Sequence, residues 1–447
     1  MKILVLNGSP KGENSITLQT LRYLEKKYQL SSLEVLHVGQ KIKSLEKDFS
    51  SALAAMEQAD VLLFSYPVYT FIAPCQLHRF IELMKAHGAN VAGKIATQVT
   101  TSKHFYDTTA HRYIQDNVQE MGMHFIRGLS ADMEDLTTEK GRKEAENWWN
   151  HFLWSTEKKY FEPYFPIPAA TEPVPVTALE YSSEKKPGDV VIIADLKPED
   201  TQLAGIVARF RAQLPYATRV VNLREYPFKG GCLGCFRCAV SGKCVYKDGF
   251  ADYLRNEIQP ADAMVFAFSI QDHSMGRLFK MYDDRQFCNG HRTVTIGMPV
   301  AYLISGNLSK EENLRTIIEG RAQVGSNILS GIATDEVDTD AAIDRLAASL
   351  AYSLEHKNTG PQNFLGVGGM KIFRDLIYAM RGFMKADHKF CKSHGQYDFP
   401  QKKWPQSLAM YLVGAMIANP KLMSKAGNKM NEGMLMPYKK VLDDMDK

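Results

Sequence analysis

The chain has 447 residues, 45% of them hydrophobic and 23% charged, with a net charge of +4. At roughly 100 to 200 residues per domain this length allows two to four domains, and the composition excludes a single small module, wholesale disorder and a disulfide-rich miniprotein. Seven cysteines, four of them between positions 232 and 244, point to ligands in a reduced cytoplasm rather than to bridges.

The run Ile3 to Leu6 is too short for the apolar core of a secretory signal and reads as a strand over Lys2 to Asn7. A helical pattern follows over Thr17 to Tyr28. Between them lies Asn7-Gly8-Ser9-Pro10-Lys11-Gly12-Glu13-Asn14-Ser15-Ile16-Thr17, with glycines for tight turning, hydroxyls at Ser9, Ser15 and Thr17, and one cation at Lys11. Such a loop at a helix amino end suits a phosphate monoester, although it is neither a Walker loop nor the Gly-x-Gly-x-x-Gly fingerprint. A buried strand ending at Ser65 leads into Tyr66-Pro67-Val68-Tyr69-Thr70-Phe71, a stiff aromatic platform for a flat ligand. A fourth strand over Lys94 to Thr101 ends in Thr100-Thr101-Ser102-Lys103, and a fifth covers His124 to Leu129 before a helix near Glu139 to Lys159.

The order then repeats. Asp189 to Ala194, the helix Thr201 to Leu214, Pro260 to Ala267, Thr293 to Ile304, Asn327 to Ala333 and the helix Asp340 to His356 answer the first set. Strands alternating with helices, and apolar without alternation, imply parallel sheets covered on both faces. In such sheets ligands sit beyond the carboxyl ends of the strands. Prolines 163, 166, 168, 173, 175 and 187 make the intervening segment an extended strap. The expected units are 1–160, the strap 161–188, a second half 189–358 and a C-terminal segment 359–447.

In the second half the first loop reads Ala194-Asp195-Leu196-Lys197-Pro198-Glu199-Asp200-Thr201, with three carboxylates where a phosphate would sit, and the aromatic platform is replaced by Ile270-Gln271-Asp272. The second half gains about 15 residues between its first and third strands. Most of that gain is Cys232-x2-Cys235-x2-Cys238-x5-Cys244 in a glycine-rich run, a spacing that lets thiolates converge on one metal centre. Zinc and an empty thiol cluster remain alternatives. Arg237, Lys243 and Lys247 are candidate counter-charges. Cys75 and Cys288 read as buried or incidental thiols, and His273 as a surface histidine or a proton gate.

The Gly8-Ser9-Pro10-Lys11 loop with Ser15-x-Thr17, and the strand ending in Ser65-x-Pro67-Val68-Tyr69, resemble the flavodoxin-like NAD(P)H-dependent FMN reductases over about 160 residues. The cysteine run resembles that of the iron–sulfur flavoproteins of the same family. With the internal repeat and the helical pattern near the C-terminus, the resemblance makes the expected fold an α/β protein of two tandem flavodoxin-like doubly wound domains plus a mostly helical C-terminal segment. It further implies FMN held by Ser9, Lys11, Ser15 and Thr17 at the phosphate, Pro67, Val68 and Tyr69 at the ring, and Thr100, Thr101 and Ser102 at its polar edge. Ile16 stands where the family has a polar residue. Cys232, Cys235, Cys238 and Cys244 would hold a [4Fe–4S] cluster. The activity implied is electron transfer from NAD(P)H through FMN and the cluster to a small-molecule or protein acceptor. A simple FMN or quinone reductase with a zinc or vestigial thiol site, and a non-enzymatic carrier or scaffold, are the alternatives. A fused pseudo-dimer is expected, and a homodimer of the chain is compatible with it.

Residues 360–447 carry 14 Lys/Arg against 7 Asp/Glu and ten of the 20 methionines. Ile372, Phe373, Leu376, Ile377, Met380, Phe383 and Met384 predict a basic amphipathic helix that docks on the sheets or touches a membrane surface or partner protein. Phe364 to Gly369 is too poorly placed for a phosphate loop. The apolar stretch Leu408 to Ala418, closed by Pro420, is too short to span a membrane. No long basic and aromatic stripe marks a nucleic-acid binder.

Overall fold

The computed structural model describes residues 1–166, 172–418, 432, 434–436 and 438–445. They form two compact units, Met1–Phe390 and Cys391–Lys447. The first unit holds two sheets. In one, β1 (Ile3–Asn7), β2 (Glu34–Leu36), β3 (Val61–Pro67), β4 (Ile95–Ser102) and β5 (His124–Phe125) run in the order β2-β1-β3-β4-β5, with β6 (Leu129–Asp132) also on β4. In the other, β7 (Lys186–Ala194), β8 (Tyr216–Asn222), β9 (Ala263–Ser269), β10 (Pro299–Ser305) and β11 (Ile328–Thr334) run in the order β8-β7-β9-β10-β11. Both are the doubly wound 2-1-3-4-5 arrangement, and every strand pairing is parallel.

Register carries the repeat to single residues. Ile3 pairs with Val61 in the first sheet and Val190 with Ala263 in the second, so the offset grows from 187 to 202 between first and third strands. The loops after β3 and β9 share an unusual backbone. Thr70 and Phe71 have φ of 42° and 74°, Asp272 and His273 of 53° and 59°, and each pair is closed by an antiparallel bridge, Tyr69 to Ile72 and Gln271 to Ser274.

The central strands are buried on both faces, and alternate residues enter different cores. Leu4, Leu6, Leu62 and Phe64 point inward with Val191, Ile193, Met264 and Phe266 of the second sheet, forming one core shared by the two halves. Ile3, Val5, Val61 and Leu63 pack outward beneath Trp149 and Phe152, and Val190, Ile192 and Val265 beneath Leu203 and Phe210. At roughly 1.5–3 kcal/mol for each large side chain buried, the shared core binds the halves together. At its centre the helices Cys75–Ala86 and Gly276–Arg285, equivalent in the repeat, pack on each other.

Three elements differ from expectation. The fifth strand is split because the Arg127 carbonyl leaves the ladder to accept a bond from Trp148 Nε1 at 3.0 Å. β10 starts at Pro299 rather than Thr293, since Gly297, at φ 76°, turns to bond Ser326 O. Phe364 to Gly369 is the first part of a helix, Phe364–Ala379, rather than a loop; Gly369 there lies against Val324 and Phe105, where a Cβ would meet Val324 Cγ2 at 2.6 Å. The amphipathic pattern ends at Ala379, and a separate helix, Lys385–Ser393, follows. Within the strap, Val174 bonds to Asp335 O, Gln202 and Thr339, laying the chain on the second half. Pro168 and Pro420 lie outside the described residues.

Candidate functional site

A cleft opens beyond the carboxyl ends of β1, β3 and β4. Its first wall is the β1 loop. Asn7 holds this loop from within: its Nδ2 donates to Gly12 O at 2.9 Å and its Oδ1 accepts from the Ser9 N–H at 3.1 Å. The loop then enters the 12-residue helix Ile16–Lys27, whose N-cap Ser15 makes no side-chain capping bond. Ser9, Ser15 and Thr17 are buried as residues yet line the cleft, as do Lys11 and Ile16. Uncapped helix N–H groups, uncommitted hydroxyl capacity and a cation make a donor set fitted to a phosphate dianion.

The second wall is the β3 loop. Val68 N–H donates to Thr101 O at 3.1 Å, and Tyr69 N–H to Ile72 O at 2.8 Å. Pro67, Val68 and Tyr69 all line the cleft. Two successive left-handed residues without glycine are strained, and the second half holds them. Lys280 Nζ donates to Tyr69 O at 2.9 Å, while Asp284 accepts from the Cys75 N–H at 2.8 Å and from Thr70 Oγ1 at 3.4 Å. Lys280 and Asp284 are buried and paired with each other. Burial drives Lys280 down and Asp284 up in pKa.

The β4 loop supplies Thr101 and Ser102, which line the cleft, and Thr100, which does not. Thr100 Oγ1 turns away to His111 Nε2, 2.7 Å distant, and burial pulls that imidazole down to about 4. Thr101 and Thr17 share a 2.6 Å hydroxyl bond across the cleft floor. Ser102 Oγ accepts from the His104 N–H at 2.7 Å.

The facing wall comes from the second half, and it is the cysteine loop. Cys232, Cys235, Cys238 and Cys244 line the same cleft as Ser9 and Tyr69. Close approach demands its glycines. A Cβ on Gly231 would lie 2.1 Å from Cys75 Sγ; Gly234, at φ 59°, would put one 1.9 Å from the Tyr69 hydroxyl. Gln76 Nε2 donates to Cys232 O at 3.3 Å, Lys43 Nζ to Lys229 O at 2.6 Å, and Lys11 Nζ sits 5.8 Å from the Phe236 ring centre. Arg285 anchors the loop from below: Nη1 donates to Gly230 O at 2.9 Å, and its fork grips Asp248 at 2.7 and 2.8 Å.

Burial holds the thiols of Cys232 and Cys238 above the ordinary range. Among the described residues no group of three or more His, Cys, Asp or Glu side chains is arranged to hold a metal ion. The motif thus reaches the cleft without converging on one point. Besides Lys11 and Lys43, this segment meets Arg255, on Gly242 O at 2.8 Å, Arg292, on Cys238 O at 3.4 Å, and Arg285. Arg237, Lys243 and Lys247 are exposed.

Sequence reasoning gives Cys75 and Cys288 as buried or incidental thiols; both are buried, and it misses their place beside the cleft. Cys75 lies against Gly231, and Cys288, pushed up to about 12 by burial, lines the cleft beside the motif. It also missed His291, which lines the cleft with Phe236, Phe287 and Phe373 and bonds through Nδ1 to buried Asp387 at 3.0 Å. No local pattern marks these residues; their role comes from contacts between the halves. His273 lies elsewhere, in a second hollow, between Glu311 at 3.0 Å and Glu120 at 3.4 Å. Burial alone would lower its pKa, but the two carboxylates outweigh it and raise the imidazole to about 9.

The second half's own β7 loop carries an internal anion. Asp200 caps the helix Thr201–Gln213, accepting from Leu203 N–H at 3.1 Å, and also binds Ser269 Oγ. A carboxylate thus stands where the first half leaves hydroxyls and N–H groups open.

The strand order and three loops make the first half a flavodoxin-like half with a cleft at its switch point. Residues 1–134, which hold β1 to β6 and all three loops, match the family described as NADPH-dependent FMN reductase. Similar solved structures include NAD(P)H:quinone oxidoreductase from Methanothermobacter marburgensis, at 14% identity over 39% of this chain and 98% of that one, TM-score 0.29. Others are general stress protein 14 from Treponema denticola in complex with FMN, at 11% identity over 34% and 99%, TM-score 0.28, and an apo NADH:FMN oxidoreductase, at 21% over 34% and 89%, TM-score 0.30. No curated protein matches the chain.

Proposed function

We propose that the chain is an NAD(P)H-dependent flavin oxidoreductase that passes electrons from FMN, held by the first half, to a [4Fe–4S] cluster held by the second, and on to an acceptor. The observation that carries this reading is the shared cleft: the hydroxyl loop and the cysteine loop come from different halves and line one space. FMN supplies hydride acceptance and the cluster single-electron transfer, chemistry that belongs to the cofactors. Ser9, Ser15, Thr17 and Lys11 bind the phosphate. Pro67, Val68 and Tyr69 orient the ring, with Thr101 and Ser102 at its polar edge. Thr100 is withdrawn from that role and fixes β4 to His111 instead. The aromatic rim of Phe105, Phe236, Phe287 and Phe373 excludes water. His291, oriented through Nδ1 by Asp387, lies beside the bound groups.

The donor set on the cysteine loop is that of a thiolate-ligated centre, and loading it would release protons from thiols that burial keeps neutral. Anaerobic purification with iron, acid-labile sulfide, zinc and flavin measured per chain tests this. About four irons and one FMN support the relay; flavin without iron overturns it. A second reading, a simple FMN or quinone reductase with a zinc or vestigial thiol site, is favoured by the non-convergent thiols, and it predicts rapid bleaching of the flavin by NADH or NADPH in a protein without iron.

A further inference from the structure

The C-terminal unit exposes a helix, Trp404–Ile417, whose sequence opens Trp-Pro-Gln-Ser and continues Leu-Ala-Met-Tyr-Leu-Val. Leu408, Met410, Tyr411 and Leu412 are 53 to 79% exposed. Successive residues of an α-helix turn by about 100°, so the six apolar residues Leu408 to Val413 cover the whole circumference. A helix that docks on a protein keeps a polar face for water; one apolar all round is at home in a protein core or in lipid. Among the described residues of its own unit nothing buries this one.

Its length decides the mode. Fourteen residues extend roughly 21 Å at 1.5 Å each, short of the roughly 30 Å hydrocarbon core, and no helix among the described residues is long and apolar enough to cross a membrane. Its amino end carries a cluster of a different kind. Trp404 is exposed next to Lys403; Lys402 Nζ lies 5.8 and 5.5 Å from the ring centres of Tyr397 and Phe399, which stack at 5.7 Å. Aromatic rings and lysines together are the composition of the headgroup layer. We propose that this helix enters one leaflet of an anionic lipid bilayer, with Trp404, Lys402 and Lys403 at the headgroups, and tethers the chain to the membrane surface.

The full chain is floated with vesicles of phosphatidylcholine alone or mixed with phosphatidylglycerol, and Trp emission is recorded. Flotation with the mixed vesicles, a blue shift absent from Trp404→Phe, and at least a ~10-fold drop in the bound fraction for Leu408→Glu/Leu412→Glu are expected. Should that double variant aggregate, Lys402→Glu/Lys403→Glu, which leaves the apolar face intact, must lower binding to the anionic vesicles. Equal binding to both vesicle types overturns the role of the lysines. Absence of flotation overturns the proposal, in favour of a second copy of this chain if sedimentation shows a dimer that Leu408→Glu/Leu412→Glu dissociates.

Discussion

Replacing Lys280 by Met probes how the second half holds the first half's β3 loop. Lys280 is fully buried, donates to Tyr69 O at 2.9 Å and pairs with Asp284. Burial shifts both groups toward neutrality, so desolvation opposes the pair and packing keeps it in place. Removing the lysine alone strands a buried carboxylate, which destabilises by about 3–5 kcal/mol. Lys280→Met/Asp284→Leu removes both charges and leaves the Cys75 N–H without its 2.8 Å partner, a loss of about 1–3 kcal/mol, while Asp283 loses Lys280 at 3.7 Å but keeps Arg321. The double variant is therefore the more stable of the two. Both free the Tyr69 carbonyl, and the left-handed Thr70 and Phe71 relax a strain of roughly 1–2 kcal/mol each, so flavin retention falls in both alike. Urea unfolding and flavin content after gel filtration separate the effects. A Lys280→Met protein within about 1 kcal/mol of wild type, or a double variant less stable than the single, refutes the reasoning.

Ser9→Ala/Ser15→Ala loses two hydroxyl contacts to a dianion and weakens FMN retention by about tenfold or more without lowering the unfolding midpoint; unchanged flavin content rejects that loop as the phosphate site. Cys235→Ser is expected to lose iron and keep flavin, and joint loss of both would make the cysteines structural for the whole. His273, surrounded by Glu120, Glu311, Lys85 and Asp272, has its folded pKa raised to about 9. Its contribution of about 3 kcal/mol is therefore full below the unfolded value near 6.5 and disappears as pH rises through 9. Unfolding from about pH 6 to about pH 10 shows this as a fall that His273→Gln flattens; equal slopes in the two proteins reject it.

The strands of both sheets were legible because each is a short apolar run between turn residues, and the repeat because register preserves the offset that the strings show. The cleft's first wall was legible for the same reason: its donors follow β1 within a few residues. Thr101 and Thr100 are neighbours on one strand and point opposite ways, Thr101 to the cleft and Thr100 to His111, a difference that the residue types alone do not show. Cys75, Cys288, His291 and Arg285 were illegible as site residues because they act across the junction between halves. One signal was available. Lys280, Asp283, Asp284 and Arg285 crowd one helix, and charges of both signs so close together on one helix mark an ion-paired interface.

The asymmetry of the repeat has a physical consequence for stoichiometry. In a symmetric pair, identical loops would face each other and each cleft would need both chemistries from one sequence. In this chain the 15-residue gain between first and third strands falls in the segment that covers the first cleft, while Asp200 stands at the helix amino end of the second half's corresponding loop. A phosphate dianion placed there would meet a carboxylate at contact distance. Asp200→Ser tests whether charge alone closes that site: a serine still caps the helix, so stability changes by only a few tenths of a kcal/mol, and the repulsion is gone. Flavin content should nevertheless stay at one per chain, because Ile270-Gln271-Asp272 offers no aromatic platform and Asp195 remains paired with Arg224 at 2.7 Å beside the loop. A second bound FMN would show that the two halves differ in one side chain rather than in a whole surface.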